Sequence, residues 1–325
     1  MIIVTGGAGF IGSCLVRLLN DMGEKDIVIV DNISSTEKWK NLTNKIYTEY
    51  INKDDFMNRL GEFKNDVDLI IHMGACSATT EKDFDYLYNN NFVFTKCLWK
   101  FCSENNIRFI YASSAATYGD GSYGFDDEAD ISCLRSLNGY GYSKQLFDLW
   151  VEKEIIAGHK TPKQYVGFKF FNVYGPNEYF KGSMASVILH TYNEVKKTGK
   201  KGLFKSYNLN YKDGEQLRDF VYVKDICAVV QYMIEHKEIN GLFNLGTGIA
   251  RSFNDLAKAT FKAMNLEPNI EYIDMPDGLK EKYQYYTKAE IGKLRSVGYN
   301  KDFYSLEEGI EDYVKNYLEK NYKIY

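Results

Sequence analysis

The sequence predicts an α/β fold, a doubly wound parallel sheet with helices on both faces and a smaller C-terminal domain beside it. Three observations lead there. The first 31 residues read strand, helix, strand. Short apolar runs then go on alternating with helical stretches as far as Phe171. Beyond Asn172 the pattern changes, and Pro176, Gly182, Gly199, Gly202 and Gly214 cut the chain into short pieces. Unbroken apolar strands between helices are what a parallel sheet covered on both faces requires.

Taken in order, Ile2-Ile3-Val4 is an apolar run ended by Thr5-Gly6-Gly7. Residues 11–19 follow with helical spacing, and 27–30 form a second apolar run closed by Asp31. This is a βαβ unit. Residues 68–72 read as a buried strand, 91–102 as a helix and 109–113 as the next strand. A long helix is expected over 142–154 and a strand over 165–171. A helix over 224–236 and a strand over 242–245 look like a return to the first domain, and the Lys-, Tyr- and Glu-rich tail is helical. The expected division is 1–171 plus roughly 219–246 for the first domain, and 172–218 plus 247–325 for the second.

Composition narrows the function. A chain of 325 residues suits about two domains, and at that size a core needs no staples. A hydrophobic share of 45% fits a globular protein. The net charge is -4 with Lys and Arg spread along the chain, which argues against a nucleic-acid surface. The cysteines Cys14, Cys76, Cys97, Cys102, Cys133 and Cys227 form no CxxC pair and stand at no zinc spacing to a histidine. They read as thiols in a reducing compartment, with no metal expected. No apolar run approaches the roughly 20 residues of a membrane span. A strand beginning at Ile2 leaves no room for a signal peptide. The expected location is the cytoplasm.

Thr5-Gly6-Gly7-Ala8-Gly9-Phe10-Ile11-Gly12 carries the first chemistry. Gly6 and Gly9 allow a tight turn and the close approach of a pyrophosphate, and Gly12 lets the helix pack against the strand. The helix N-terminus offers free N–H groups and a partial positive charge. The preceding strand, the following helix and Asp31 at the end of the second strand make this a dinucleotide loop rather than an ordinary glycine turn. Asp31 is placed to accept a bond from an adenosine ribose hydroxyl, which favours NAD. Lys38 and Lys53 are close enough in sequence to reach a 2′-phosphate, though from pattern alone they read as solvated surface lysines.

Tyr140-Gly141-Tyr142-Ser143-Lys144 carries the second. On a helix, Tyr140 and Lys144 share one face. A free tyrosine has a pKa of about 10. Bringing it to neutrality takes about 4 kcal/mol, roughly what one cation about 4 Å away supplies at an effective dielectric of ~20. Tyr140 could then exchange a proton with an alcohol while hydride moves to a nicotinamide. Ser113-Ser114, just after a strand, could bind the same substrate oxygen.

These three segments resemble the extended short-chain dehydrogenase/reductases, which are nucleotide-sugar epimerases, dehydratases and reductases with a Rossmann sheet. The resemblance runs nearly end to end through Phe171-Asn172-Val173-Tyr174-Gly175-Pro176, Arg218-Asp219-Phe220-Val221-Tyr222-Val223 and Phe243-Asn244-Leu245-Gly246. Gly74-Ala75-Cys76-Ser77-Ala78-Thr79-Thr80-Glu81, Phe180-Lys181-Gly182-Ser183-Met184-Ala185-Ser186 and Lys282-Tyr283-Gln284-Tyr285-Tyr286-Thr287 are similar to one branch of that family. That branch inverts the side-chain carbon C6 of an ADP-heptose for the lipopolysaccharide core. The likeness implies an ADP-heptose substrate, NADP as cofactor and a homo-oligomer, expected as a pentamer.

Residue by residue, the resemblance implies Tyr140 and Lys181 as acid/base groups on opposite faces of the reacting carbon. Lys144 would position the nicotinamide ribose and tune Tyr140, and Ser114 would hold the substrate oxygen. Phe10, Ile11, Asp31, Asn32, Lys38, Lys53, Met73, Gly74, Ala75, Cys76, Ser77, Asn90 and Val173 match cofactor positions. Asn172, Ser183, His190, Phe204, Arg218 and Tyr283 match substrate positions. Read without the family, Lys181 is a surface lysine; Gly182-Ser183-Met184-Ala185-Ser186 around it favours the functional reading. Met73 stands where the family commonly has an acidic residue, and extra residues around 207–214 lengthen the loop before Arg218. Two rivals stand beside this reading. One is another nucleotide-sugar enzyme of the same family, a C4-epimerase, a reductase or a dehydratase, though a dehydratase would carry acidic residues after the serine, where Ala115-Ala116-Thr117 stand; the other is a non-catalytic NADP-binding sensor, which would lose the tyrosine or the lysine.

Overall fold

The computed structural model describes residues 1–280 and 283–325, so Lys282 of the last motif lies outside the described residues. The strands in chain order are β1 (Ile2–Thr5), β2 (Ile27–Asp31), β3 (Glu49–Asn52), β4 (Leu69–His72), β5 (Arg108–Ser114), β6 (Tyr165–Phe170), β7 (Asn172–Tyr174), β8 (Lys201–Phe204), β9 (Leu217–Tyr222), β10 (Gly241–Leu245), β11 (Ala250–Ser252) and β12 (Ile270–Ile273). The helices are α1 (Phe10–Asp21), α2 (Lys53–Arg59), α3 (Phe84–Leu87), α4 (Phe94–Asn105), α5 (Gly139–Ile156), α6 (Val187–Thr198), α7 (Val223–Glu235), α8 (Phe253–Ala263), α9 (Asp277–Lys280), α10 (Gly292–Ser296) and α11 (Leu306–Tyr313).

Seven strands form one sheet in the order β10-β6-β5-β4-β1-β2-β3. Every pairing in it is parallel. Because β1 pairs β2 on one side and β4 on the other, the winding reverses there. In sheets of this kind, ligands bind in the crevice that opens at such a reversal, outside the carboxyl ends of the strands. That edge carries Gly6, Asp31, Met73 and Ser114. Two small sheets, β11-β9-β7 and β12-β8, lie beyond β6 in the chain.

The apolar runs have a simple cause. Ile3, Val28, Val30 and Ile70 pack on one face with Phe56, Trp99, Phe109 and Phe147. Their neighbours Ile2, Val4, Ile27, Ile29 and Ile71 pack on the other, against α1 and α7. Both sides of the pleat are buried, so no polar alternation survives. The edge strand β3 escapes sequence reading for the opposite reason: of Glu49-Tyr50-Ile51-Asn52 only Ile51 is buried.

Two boundaries differ from expectation where local geometry intervenes. The helix expected from 91 starts at Phe84, because π-helical turns over Tyr88–Val93 join α3 to α4. Helix α5 starts at Gly139 rather than 142, because the Asn138 side chain accepts from the Gly141 amide at 2.9 Å. That cap places Tyr140 in the first turn of α5. Among the described residues no helix is long and apolar enough to cross a membrane.

Candidate active site

The β1–α1 turn is built for close approach. Gly6 has φ +66°, and a Cβ there would lie 2.6 Å from the Gly74 amide nitrogen. A Cβ on Gly12 would lie 2.1 Å from the Gly6 carbonyl oxygen. Gly12 therefore lets α1 close on the turn that ends β1. Gly9, in extended conformation, precedes α1, whose first turn holds no acidic residue. The opening amides of the helix face a cavity of about 540 Å³. A narrow cradle and the opening amides of a helix with no acid in its first turn fit a pyrophosphate. Gly6, Gly9, Phe10, Ile11, Gly12, Met73, Gly74, Ala75, Ser77 and Val173 all line this cavity.

A second cavity of about 190 Å³ continues past Asp31 and is lined by Asn32, Lys38, Lys53 and Asn90. Asp31 is not free in the way the sequence suggested. Its Oδ2 accepts from the Ala8 amide at 2.9 Å, and its Oδ1 from the Asn32 amide at 2.7 Å and Lys38 Nζ at 2.6 Å. Lys53 Nζ donates to Asn90 Oδ1 at 3.1 Å and lies 3.2 Å from Asp54. The carboxylate is thus already committed and neutralised by a cation.

Ser114, Tyr140, Lys144, Asn172 and Lys181 share the wall of the larger cavity. Burial raises the Tyr140 pKa, and the neighbouring Ser114 hydroxyl opposes the rise. Lys144 does not act on the phenol as the sequence suggested. Its ammonium donates to the Ala112 carbonyl at 2.9 Å and faces Asp148. Burial pushes its pKa down to about 8, with Asp148 opposing. Lys181 enters from the turn before α6, its ammonium 5.3 Å from the Phe10 ring centre. Burial lowers its pKa and Glu178 raises it. Phe10, Met184 and Ile188 add apolar lining. Such a site offers a phenol and an ammonium to an alcohol oxygen from one cavity wall.

The remaining sequence candidates are not gathered here. Cys76 lines neither cavity; its amide donates to Asn91 Oδ1 at 2.8 Å. Ser183 and His190 are exposed. Arg218 forms a neighbouring group with Tyr283, the guanidinium 5.3 Å from that ring and 5.7 Å from Phe253, which does line the cavity. Gln216, just before β9, donates to the Phe204 carbonyl at 3.4 Å. Sequence reading passed over Asp148, Lys169 and Glu178, all fully buried. A lysine inside the apolar run Phe168-Lys169-Phe170 and an acid one turn past Lys144 were the available signals. Among the described residues no cluster of three or more His, Cys, Asp or Glu could hold a metal.

A family model described as the NAD dependent epimerase/dehydratase family matches residues 2–246. A protein of Fusobacterium nucleatum named ADP-L-glycero-D-manno-heptose-6-epimerase is 52% identical, with 98% of each chain covered. One of the same name from Nitratidesulfovibrio vulgaris is 53% identical over 98% of each. Among solved structures, the Helicobacter pylori ADP-L-glycero-D-manno-heptose-6-epimerase superposes with a TM-score of 0.78 at 27% identity, covering 97% of this chain and 95% of that one. A UDP-N-acetylglucosamine 4-epimerase from Methanobrevibacter ruminantium gives 0.82 at 26% identity, covering 98% of both.

Proposed function

The chain belongs to the NAD-dependent epimerase/dehydratase family, and from that premise we propose that it inverts C6 of ADP-D-glycero-D-manno-heptose to give the L-glycero epimer, for the heptose of the lipopolysaccharide core. The observation that carries this reading is that two titratable groups, Tyr140 and Lys181, meet on one cavity beside a dinucleotide cradle. The full-length relatives support the heptose as substrate.

A nicotinamide nucleotide, when bound, supplies a hydride acceptor and returns the hydride. The protein supplies the proton chemistry. Tyr140, aligned by Ser114, takes the proton from the C6 hydroxyl, leaving a planar 6-ketone. The ketone turns over, so its oxygen points the other way. One base cannot easily serve both orientations, and Lys181 delivers or removes the proton on the second face. The apolar lining of Phe10, Met184 and Ile188 limits the ketone's contact with water. Ala115, Ala116 and Thr117 beside Ser114 provide no acid for elimination, which disfavours a dehydratase. Phe204, Arg218 and Tyr283 are read as nucleotide-side contacts, with Arg218 between Tyr283 and the cavity-lining Phe253. Self-association into a homo-oligomer belongs to the same reading and rests on the family likeness alone.

The purified protein, without added cofactor, is expected to convert the D-glycero substrate to its epimer. A deuterium placed at C6 should stay there, and solvent deuterium should not enter carbon, since hydride leaves C6 and returns to it. Solvent label at C6 would mean deprotonation at carbon and sink this mechanism.

The cofactor is read as NADP. The Lys38 pair cancels the Asp31 charge that would repel a 2′-phosphate, and Lys38 and Lys53 flank the same small cavity. Lys38→Ala combined with Lys53→Ala should weaken NADP far more than NAD, each lost charge-assisted bond being worth about 1.5–3 kcal/mol. Fluorescence titration measures both affinities, and equal losses would rule NADP out.

A further inference from the structure

We propose that Glu178 is the positioning residue of the active site, clamping the loop that carries Lys181 and supplying the counter-charge to its ammonium. The inference rests on the reading that Lys181 exchanges a proton with the substrate.

The geometry is that of a clasp. The connection from β7 to α6 leaves the sheet at Tyr174, carries Lys181 at its middle and enters the helix at Ser186. Glu178 is 0% exposed. Its Oε1 accepts from the Gly175 amide at 3.2 Å and the Ser186 hydroxyl at 2.7 Å, and its Oε2 from the Ser186 amide at 2.5 Å. One carboxylate therefore ties the start of the loop to its end. Ser186 in turn caps α6, accepting from the Leu189 amide at 3.2 Å. The Glu178 carbonyl takes the Lys181 amide at 3.1 Å, so the same residue also fixes the backbone of the lysine. Lys181 and Ser186 both line the cavity, which makes the inner rim of the clasp part of the substrate wall.

Charge gives the second half of the inference. A buried ammonium is costly unless paired, and so is a buried carboxylate. Burial lowers the pKa of Lys181 and raises that of Glu178, and each opposes the shift of the other. The other titratable groups acting with Glu178 are Cys14 from α1, Tyr179 from the loop and Tyr313 from α11. Burial raises all three, so they stay neutral at working pH. The group facing Lys181 from α1 is the uncharged Phe10 ring. Among the described residues, Glu178 is the one charged group acting on Lys181. Removing that charge lets burial dominate, so Lys181 gives up its proton at lower pH. A purely structural residue would slow the enzyme without moving this titration.

The test uses the nucleotide-loaded enzyme. Glu178→Gln, Glu178→Asp and Lys181→Met are compared by the pH profile of kcat and by the pH dependence of acetylation at Lys181, read by mass spectrometry after a pulse of acetic anhydride. In Glu178→Gln the Lys181 midpoint, and the limb of the kcat profile it controls, should both move down by about one pH unit or more. Glu178→Asp keeps a charge but withdraws it from the clasp, so its midpoint should fall by less while kcat drops. An unchanged midpoint in folded Glu178→Gln overturns the proposal. If Glu178→Gln does not fold, an unchanged midpoint with unchanged kcat in Glu178→Asp overturns it instead. Full activity in Lys181→Met would sink the catalytic reading of Lys181, while the acetylation midpoint would still decide the pairing with Glu178.

Discussion

Tyr140→Phe is expected to lower turnover by at least about 100-fold, the lower scale for losing a general acid/base. The substitution removes one oxygen and leaves the ring in place, and the oxygen it removes is the one bonded to Ser114 at the cavity wall. Lys181→Met should lose a comparable factor. Its methylene body can still pack near Phe10, so nucleotide binding, followed by fluorescence titration, should persist in both variants. The double variant should be little slower than either single one, because both groups serve one proton-transfer cycle. The outcomes separate cleanly. Multiplying losses would mean that the two residues act in independent steps. A Lys181→Met enzyme with full turnover would remove the lysine from the chemistry and leave a one-base oxidoreductase. Burial holds the Tyr140 pKa high, with Lys144 turned to Ala112 and Asp148. Tyr140 therefore needs a further positive charge beside it before it can take the C6 proton at neutral pH.

How much of this was legible in the sequence depended on what kind of signal each residue leaves. The parallel sheet was, because residues such as Ile3 and Ile70 are buried on one face and Ile2 and Ile71 on the other, leaving unbroken apolar runs. The glycine turn was, because Gly6 and Gly12 stand where any side chain would strike backbone. The edge strand β3 was not, since only Ile51 of it is buried. The start of α5 was misplaced by three residues, since the cap is a single asparagine, Asn138. At the site, Tyr140, Ser114, Lys144 and Lys181 do meet on one cavity. What the spacing could not tell was which partner each charge would choose. An i,i+4 relation put Tyr140 and Lys144 on one face, but Asp148 stands at the next i,i+4 step and takes the ammonium's field. The buried acids and Lys169 carry no motif and emerge only when distant segments close around them.

Those buried charges set the largest stability effect expected. Asp148 in α5 lies 3.6 Å from Lys169 of β6, with 0% and 1% side-chain exposure, and accepts from Ser113 Oγ at 2.7 Å. Lys169 donates to Thr117 Oγ1 at 2.9 Å and sits 4.4 Å from the Tyr118 ring centre. Lys144 draws on the same carboxylate, so one negative charge serves two buried ammoniums. Asp148→Asn keeps the volume and removes the charge. It should cost about 3–5 kcal/mol, the scale for stranding a buried ion-pair partner. Lys169→Met should cost less, because Asp148 keeps Ser113 and Lys144. The pH dependence has a definite sign. A lysine whose folded pKa is depressed binds fewer protons folded than unfolded, so stability rises with pH between the folded and unfolded values. For Lys144 that window runs from about 8 toward the ordinary 10.5. Without Asp148 the lower edge moves further down for both lysines, so the Lys144 share of the Asp148→Asn deficit should shrink as pH is raised toward about 8 and stay level above it. Urea unfolding at several pH values measures it. A deficit below about 1 kcal/mol at neutral pH, on the scale of an exposed ion pair, would mean that water reaches the cluster and the three charges are not bound to one another.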